Sequence, residues 1–195
     1  MLKKISLFNL AILSIFVFSG CFNFGEEENP EALPPSTSST YETGQYTLTV
    51  PADWEVIDAN DFTSDVPPET EVVFRNNVKN ETYTANVNIV RRELQESVDS
   101  LEYANLVANR EKSGLVDYSE EKKETITLQT PDGQIETYLL VFQARKSNND
   151  QLVRYYQTYG VSANAAFIVT GSTSTQETET TSQTIENIVR SFQLR

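Results

Sequence analysis

One cysteine, Cys21, is the residue whose type and position point most directly to chemistry. It closes the most apolar stretch of the sequence, in which Lys3 and Lys4 precede a run of mainly Leu, Ile, Phe, Val and Ala at residues 5–18. That order, with small residues before the cut, is typical of an export signal. Polar residues interrupt the run, and it is shorter than the about 20 apolar residues that a spanning helix needs. We therefore expect residues 1–20 to be a signal peptide that is removed.

The residues beside the expected cut indicate what is attached to the thiol. Phe18, Ser19, Gly20 and Cys21 resemble the lipobox of bacterial lipoproteins, although Phe18 replaces the usual aliphatic residue. A diacylglyceryl thioether requires a thiol at the membrane surface, and two acyl chains anchor a protein stably where one binds reversibly. We predict that acylated Cys21 holds the protein on membrane lipid, facing outside the cytoplasm. The alternative is an incidental cysteine at an ordinary signal-peptide end.

A cluster of oxygen-bearing side chains provides a second candidate site. Asp58, Asn60, Asp61 and Asp65 carry the hard oxygen donors that Ca²⁺ prefers. The spacing is not that of an EF-hand, because Phe62 stands at a ligand position and a threonine replaces the required glycine. We expect a solvated turn without strong calcium dependence, and Asp58, Asp61 and Asp65 remain the candidate ligands if a metal binds. We expect no cofactor.

The tyrosines of the segment RYYQTYG are a third candidate. If residues 154–160 form a strand, Tyr156 lies on one face and Tyr155 and Tyr159 lie on the other, because side chains alternate along a strand. At least one tyrosine is then available for display as a binding group. Core packing or cover of a sheet edge is the alternative.

The residue types needed for several common catalytic mechanisms are missing. The sequence has no histidine, which excludes Ser-His and Cys-His nucleophiles and His-ligated zinc. It has 7 glycines and no glycine-rich phosphate loop. A pair of carboxylates can still support glycoside hydrolysis, but none occurs in a recognisable motif. We predict a non-enzymatic binding or accessory module, with a carboxylate-based cell-surface hydrolase as the alternative.

The charge of the chain limits the kinds of partner that it can bind. Asp and Glu number 28 against 15 Lys and Arg, and removing residues 1–20 takes away two lysines and no acid, which changes the formal charge from −13 to −15. Nucleic acid is excluded as a partner, since phosphate binding requires clustered basic residues. We expect the partner to be an envelope protein or a wall ligand.

Composition divides the remaining chain into a tether and one domain. Residues 25–40, GEEENPEALPPSTSST, are rich in Glu, Pro, Ser and Thr and have almost nothing to bury, so we expect them to be disordered. We therefore assign residues 21–40 to the lipidated cysteine and a flexible linker. No second linker interrupts residues 41–195, which are long enough for a single hydrophobic core. We expect this domain to be monomeric.

Apolar periodicity predicts the elements of the domain. Alternation or continuous apolar runs bounded by turn residues indicate strands, near residues 46–50, 70–76, 82–94, 125–130, 134–145, 151–160 and 165–172. The segments PDG and SNND predict hairpin turns. A capping box at Asp99 and Glu102 predicts a helix ending near Ser113, with Gly114 as its C-cap. An i, i+3, i+4, i+7 spacing of apolar residues predicts a closing helix that carries Ile185, Ile188, Val189 and Phe192, with Glu177 and Glu179 near its N-terminus.

These elements make an α+β domain in which helices pack on an antiparallel sheet. YTLTVPADW at residues 46–54 resembles the opening strand, proline turn and tryptophan of PsbP-like domains, and IENIVRSFQL at residues 185–194 resembles their closing helix. The resemblance covers nearly all of residues 41–195. It implies a PsbP-like α/β/α sandwich and an accessory or binding role, and it transfers no binding residues. We expect one core to bury six side chains: Trp54, Ile89, Phe142, Phe167, Ile188 and Phe192.

Overall fold

The computed structural model of the protein describes residues 37–62, 66–78 and 83–195. The predicted signal peptide, Cys21 and residues 21–36 of the predicted linker lie outside the described residues, as does Asp65. Lipidation and the disorder of the tether therefore stay predictions.

Ten strands and two helices form within the described residues. The strands are β1 (Ser38–Glu42), β2 (Tyr46–Pro51), β3 (Glu55–Asp58), β4 (Thr70–Arg75), β5 (Asn86–Glu93), β6 (Val116–Thr130), β7 (Gly133–Arg145), β8 (Val153–Ser162), β9 (Ala165–Ser174) and β10 (Gln193–Leu194). The helices are α1 (Ser100–Gly114) and α2 (Glu179–Arg190), and a short 3-10 turn spans Ala59–Asp61.

Two antiparallel sheets organise the domain. The larger has seven strands in the order β3-β4-β5-β9-β8-β7-β6, and the smaller has three strands in the order β1-β2-β10. The predicted PDG hairpin joins β6 to β7, and Thr130 pairs with Gly133 across it. Gly133 has a φ of 131°, a backbone conformation that is unfavourable for a residue with a side chain. The predicted SNND turn joins β7 to β8. The α+β class with an antiparallel sheet is confirmed.

Alternating side chains allow both faces of the seven-stranded sheet to be covered. Along β9, Phe167 and Val169 face one side, and Ala166 and Ile168 face the other. Helix α2 and the small sheet cover the first face, and α1 packs on the second face, mainly against β7 and β8. The domain therefore has three layers, which are α1, the seven-stranded sheet, and a layer formed by α2 and the small sheet.

The predicted core is correct for burial and partly wrong for location. All six side chains are buried, and Trp54, Ile89, Phe167, Ile188 and Phe192 belong to one cluster between the large sheet and α2. Phe142 lies on the opposite face, stacked between Tyr118 and Tyr155 with ring centroids 4.9 and 5.1 Å away. The reason is the two-residue period of β7, which directs Val141 to the α2 side and Phe142 to the other.

The start of α1 is confirmed, and its end differs by one residue. The Asp99 carboxylate accepts a hydrogen bond of 2.8 Å from the Glu102 backbone N–H, as an N-cap does. Gly114 is the last helical residue, and Leu115 is the C-cap. The helix stops there because Leu115 becomes extended and packs against the cluster that contains Phe142.

Helix α2 is confirmed as the closing helix, and a short strand, β10, follows it. Ile185, Ile188 and Val189 are buried, and Glu179 lies in the first turn behind the N-cap Thr178. Phe192 was predicted to lie on this helix, but the helix ends at Arg190 and Phe192 is buried just after it. Strand β10 then pairs with β2. The sequence missed β10, because two residues are too few to show a period.

Two strands begin earlier than predicted, and one strand was not predicted. Strand β1 begins at Ser38, inside the predicted linker, so disorder through residue 40 is wrong; its residues are polar because it is an exposed edge strand that pairs with β2. Strand β6 begins at Val116 rather than near residue 125, because its charged first half is a solvated edge with irregular register. Strand β3 was not predicted.

Candidate functional site

The structure does not assemble the predicted acidic cluster into a metal site. Asp58 ends β3 and Asp61 lies in the 3-10 turn, and both are exposed. Among the residues that the structure describes, no group of three or more His, Cys, Asp or Glu could hold a metal ion. The absence of strong calcium dependence stays a prediction, because Asp65 lies outside this part of the chain. Asp61 instead lines a cleft.

The predicted alternation of the tyrosines on β8 is confirmed. Tyr156 is buried in the cluster on the α2 side, and Tyr159 is buried in a cluster on the α1 side. Tyr155, which shares the face of Tyr159, is only half-buried and lines the same cleft as Asp61. Core packing therefore accounts for two of the tyrosines, and Tyr155 is the one that is displayed.

The cleft is an open space of about 830 Å³ on the α1 side of the large sheet. Strands β5, β8 and β9 provide its floor, the last turn of α1 provides one wall, and β3, β4 and the segment after β3 provide the opposite wall. It exists because α1 packs mainly on β7 and β8 and leaves the pleated surface beside its last turn uncovered. The volume is that of a site for a drug-sized ligand.

One hydrogen-bonded chain connects the floor to the α1 wall. The Tyr159 hydroxyl donates to the Gln157 carbonyl oxygen at 2.7 Å, and the Gln157 amide donates to Glu111 at 3.0 Å and to the Thr170 hydroxyl at 3.1 Å. Burial raises the pKa of Glu111, and the hydrogen bond from Gln157 and the charges of Arg110 and Arg92 oppose that rise. These hydrogen bonds fix the position of the Gln157 side chain. Glu111 remains a carboxyl group that holds its proton more tightly than usual.

A second group of polar side chains lies further along the floor. The Tyr83 hydroxyl donates to Ser172 at 2.8 Å, and the Ser172 hydroxyl donates to the Asn86 carbonyl oxygen at 3.1 Å. Beside them, the Asn88 side-chain oxygen is buried and has no hydrogen-bond partner. A buried acceptor without a donor is costly, so Asn88 is the polar side chain of the cleft lining whose hydrogen-bonding capacity is left unmet in this structure.

The charged side chains around the cleft divide into paired and unpaired groups. Arg75 pairs with Glu55 at 2.6 Å, and the Arg92 guanidinium lies 3.2 Å from Glu69. In the described part of the chain, three cationic side chains form neither an ion pair nor a hydrogen bond: Arg110, Lys112 and Lys146. Two of these three line the cleft. The site thus offers free positive charge in a chain whose formal charge is −13.

The wall opposite α1 is largely apolar. Val56 on β3 is 48% exposed, and Phe62, Val66 and Pro67 follow it in the segment between β3 and β4. Ile168 on β9 continues this apolar surface into the floor. A ligand in the cleft would therefore meet an apolar surface on one side and polar or charged groups on the others.

The arrangement favours binding over nucleophilic catalysis. The Ser172 hydroxyl has Tyr83 and Asn86 as its partners, and neither acts as a base that would remove its proton. Three carboxylates line the cleft on separate elements: Glu55, Asp61 and Glu111. Glu55 is held by Arg75, and Glu111 is held by Gln157. Sequence reasoning missed this site because its residues come from at least seven separated segments, and its only sequence signals were Asp61 and Tyr155.

A helix-covered antiparallel sheet with a small sheet on its other face defines the α/β/α class of α+β domain. The PsbP family model matches residues 37–194, and the chain belongs to the PsbP family. The resemblance drawn from residues 46–54 and 185–194 is therefore confirmed. The match begins one residue before β1, in agreement with a domain that starts earlier than residue 41.

Solved structures share the fold at low sequence identity. The solution structure of cyanobacterial PsbP (CyanoP) from Synechocystis sp. PCC 6803 matches with a TM-score of 0.56 and 17% identity, over 88% of this chain and 100% of that chain. LpqN from Mycobacterium tuberculosis, described as involved in cell envelope biogenesis, matches with a TM-score of 0.57 and 15% identity, over 81% and 90%. No curated protein matches the chain in sequence. In the described residues, no helix is long and apolar enough to cross a membrane.

Proposed function

We propose that this chain is a lipid-anchored protein of the cell envelope whose PsbP domain binds a small ligand in the α1-side cleft. The observation that carries the binding role is the open cleft of about 830 Å³ whose floor holds the unpartnered Asn88 oxygen. Arg110 and Lys146 at its walls add two cations that form no ion pair within the described chain. These are the features of a binding site that is formed before its ligand arrives.

The proposed location rests on the N-terminal sequence. The apolar run before Cys21 and the small residues beside it are the features that an exported lipoprotein needs. A PsbP fold also occurs in LpqN, which is described as involved in cell envelope biogenesis. Residues 22–36 would then act as the tether that separates the domain from the lipid surface.

A substitution at Cys21 tests the anchor. Cys21→Ser removes the sulfur that would carry the lipid, so lipid labelling should be lost while the domain stays folded. The uncut precursor should accumulate in the membrane through residues 5–18. Mass spectrometry of the wild-type N-terminus decides the matter. A mature chain that begins at an unmodified residue other than Cys21 would contradict the anchor.

Native mass spectrometry of the full chain, extracted from its own membranes, tests the binding role. The wild type should carry a non-covalent mass of a few hundred daltons, the size that such a cleft holds. Val56→Trp places an indole at the cleft mouth and should remove that mass. Val78→Trp is the matched control, because Val78 is 75% exposed and does not line the cleft. An absent ligand, or one retained equally in both variants, would contradict the proposal.

A carboxylate-based hydrolase is the second candidate function, and the half-buried Glu111 favours it over other catalytic schemes. Its raised pKa is the property that a general acid needs, and it lies in the cleft. If the protein is such an enzyme, the bound molecule is converted to product by the wild type and accumulates unchanged on Glu111→Gln. If both forms hold the same unchanged molecule, binding is the function.

A further inference from the structure

We infer that the cleft takes an amphipathic N-acyl amino acid, meaning a short peptide or an acylated amino acid that ends in a free carboxylate. The inference rests on the proposed function, because it assigns a ligand class to the same cleft. It is carried by three features that lie around one space: unpaired cations, an unpartnered acceptor and an apolar wall.

Two cationic side chains without an ion pair favour an anionic group on the ligand. Four cationic side chains line the cleft, Arg75, Arg92, Arg110 and Lys146, against three acids, Glu55, Asp61 and Glu111. Glu69, which pairs with Arg92 from outside the lining, brings the acids to four, so the site is close to neutral in a chain of formal charge −13. Arg75 and Arg92 are already engaged with Glu55 and Glu69, so Arg110 and Lys146 are the groups left to meet an anion. A carboxylate is the anion that the Arg110 guanidinium can bind with two parallel N–H donors.

The floor selects a ligand that also donates a hydrogen bond. Gln157 is committed to Tyr159, Glu111 and Thr170, and Ser172 is committed to Asn86. The buried Asn88 oxygen is left as an acceptor without a donor. A fatty acid ionised at neutral pH cannot supply that donor, whereas an amide N–H next to a carboxylate can.

The remaining wall selects an apolar body for the ligand. Val56, Phe62 and Ile168 present aliphatic and aromatic surface to the cleft, and Val56 is exposed over 48% of its area. Covering such surface is favourable in proportion to the area removed from water. An N-acyl amino acid carries all three parts, namely an apolar body, an amide N–H and a carboxylate, in one small molecule.

Calorimetric titration of the full chain in lipid nanodiscs, with empty nanodiscs as the reference, tests the assignment. The probe is N-acetyl-leucyl-leucine, and its C-terminal amide and 4-methylpentanoate are the analogues without the charge and without the N–H. The acid should bind about tenfold more tightly than its amide, since hydrogen bonds to a charged group are worth at least that factor, and about fivefold more tightly than 4-methylpentanoate, which keeps the charge and lacks the N–H. N-octanoylglycine is a separate arm, and its affinity relative to the dipeptide tells an acylated amino acid from a peptide.

Variants locate the contacts. Arg110→Gln should weaken the acid about tenfold and leave its amide unchanged, which also shows that the variant is folded. Lys112→Gln is the matched control, because Lys112 lies on the same helix, is equally unpaired and does not line the cleft. Asn88→Leu should weaken the three amide-bearing probes, namely the dipeptide, its C-terminal amide and N-octanoylglycine, and spare 4-methylpentanoate. Equal effects of Arg110→Gln and Lys112→Gln, or equal binding of acid and amide, would overturn the inference.

The outcomes separate this inference from the proposed function. If acid and amide bind equally well and Val56→Trp blocks both, the ligand class is wrong and the cleft is still the binding site. If no probe binds while native mass spectrometry shows a ligand that Val56→Trp removes, the ligand class is again wrong alone. If neither experiment detects binding in the cleft, both the inference and the proposed function fail.

Discussion

Glu111 is a carboxyl group whose surroundings make the stability of the domain depend on pH. Burial raises its pKa above the ordinary value of 4.5, so the folded state holds the proton more tightly than the unfolded state. Its contribution to stability is therefore complete below pH 4.5 and is lost as the pH rises through the folded pKa. Above that window the buried carboxylate destabilises the fold.

The substitution Glu111→Gln should remove this pH dependence. The glutamine oxygen can still accept the hydrogen bond from Gln157, and no charge has to be buried. We expect the free energy of unfolding at pH 7 to rise by about 0.5–1 kcal/mol, with no gain at pH 4. Urea denaturation at both pH values measures it, and Glu120→Gln, at an exposed carboxyl, is the control. A loss of stability at pH 7 would show that the charge is stabilised rather than penalised.

Ala163 has an unfavourable backbone conformation in the turn between β8 and β9. Its φ is 54°, where a Cβ costs roughly 1 kcal/mol and glycine costs nothing. Ala163→Gly should therefore stabilise the protein by up to about 1 kcal/mol, despite the greater freedom of glycine in the unfolded chain. Ala52→Gly, at an exposed position where φ is not positive, should destabilise slightly. Denaturation curves that place the two variants in the reverse order would refute this explanation.

At the scale of elements, a glycine sets how closely α2 approaches the large sheet. A Cβ added to Gly171 on β9 would overlap the Cγ2 methyl of Ile185 and lie 3.1 Å from Val189. Gly171→Ala should thus lower stability by about 1–3 kcal/mol through overpacking. Gly44→Ala is the control, since a Cβ there meets nothing within 4 Å. Equal melting temperatures for the two variants would mean that α2 shifts freely on the sheet.

An ion cluster joins α2 to strand β6. Glu186 accepts from Lys122 at 2.9 Å and from Arg190 at 2.9 Å, and Arg190 also pairs with Glu124 at 2.5 Å. Burial raises the pKa of Glu186, but the hydrogen bonds from Lys122 and Arg190 outweigh it, so the pKa lies below 4.5. The contribution of Glu186 is present above pH 4.5 and is lost as the pH falls through the lowered value.

Glu186→Gln should consequently destabilise the protein at neutral pH. We expect a loss of about 0.5–1 kcal/mol in low salt and a smaller loss in 1 M salt, because partly exposed ion pairs are screened. Thermal melts at the two salt concentrations measure the effect, and Glu179→Gln, an exposed carboxylate in the first turn of the same helix, is the reference. A loss that does not change with salt would contradict an electrostatic origin.

The elements that carry strong periodic patterns could be predicted from the sequence, and those without them could not. Strands β5, β7, β8 and β9 have apolar residues on defined faces, and α2 places Ile185, Ile188 and Val189 on one side. The first half of β6 is charged and exposed, and β10 is two residues long, so neither shows a period. The local sequence pattern therefore predicts the buried elements. It misses exposed edge strands that are defined only by hydrogen bonding to a neighbouring strand.

At the scale of the whole molecule, the cleft is a product of how the layers fit. Asn88, Gln157 and Arg110 come from β5, β8 and α1, and nothing in their local sequence indicates that they meet. The space between them appears because one helix is too narrow to cover the α1-side face of a seven-stranded sheet. The resemblance to PsbP-like domains predicted the layers, and the residues of the site required the three-dimensional arrangement.

The central claim is that this cleft is the binding site of the protein. Hydrogen exchange of the full chain, measured peptide by peptide with and without a small-molecule extract of its own cells, tests it most directly. We predict slower exchange in β3, in β9 and in the last turn of α1, with no change in α2, and we predict that Val56→Trp abolishes the effect while Val78→Trp preserves it. Protection confined to α2 or to the small sheet, or protection that survives Val56→Trp, would contradict the claim.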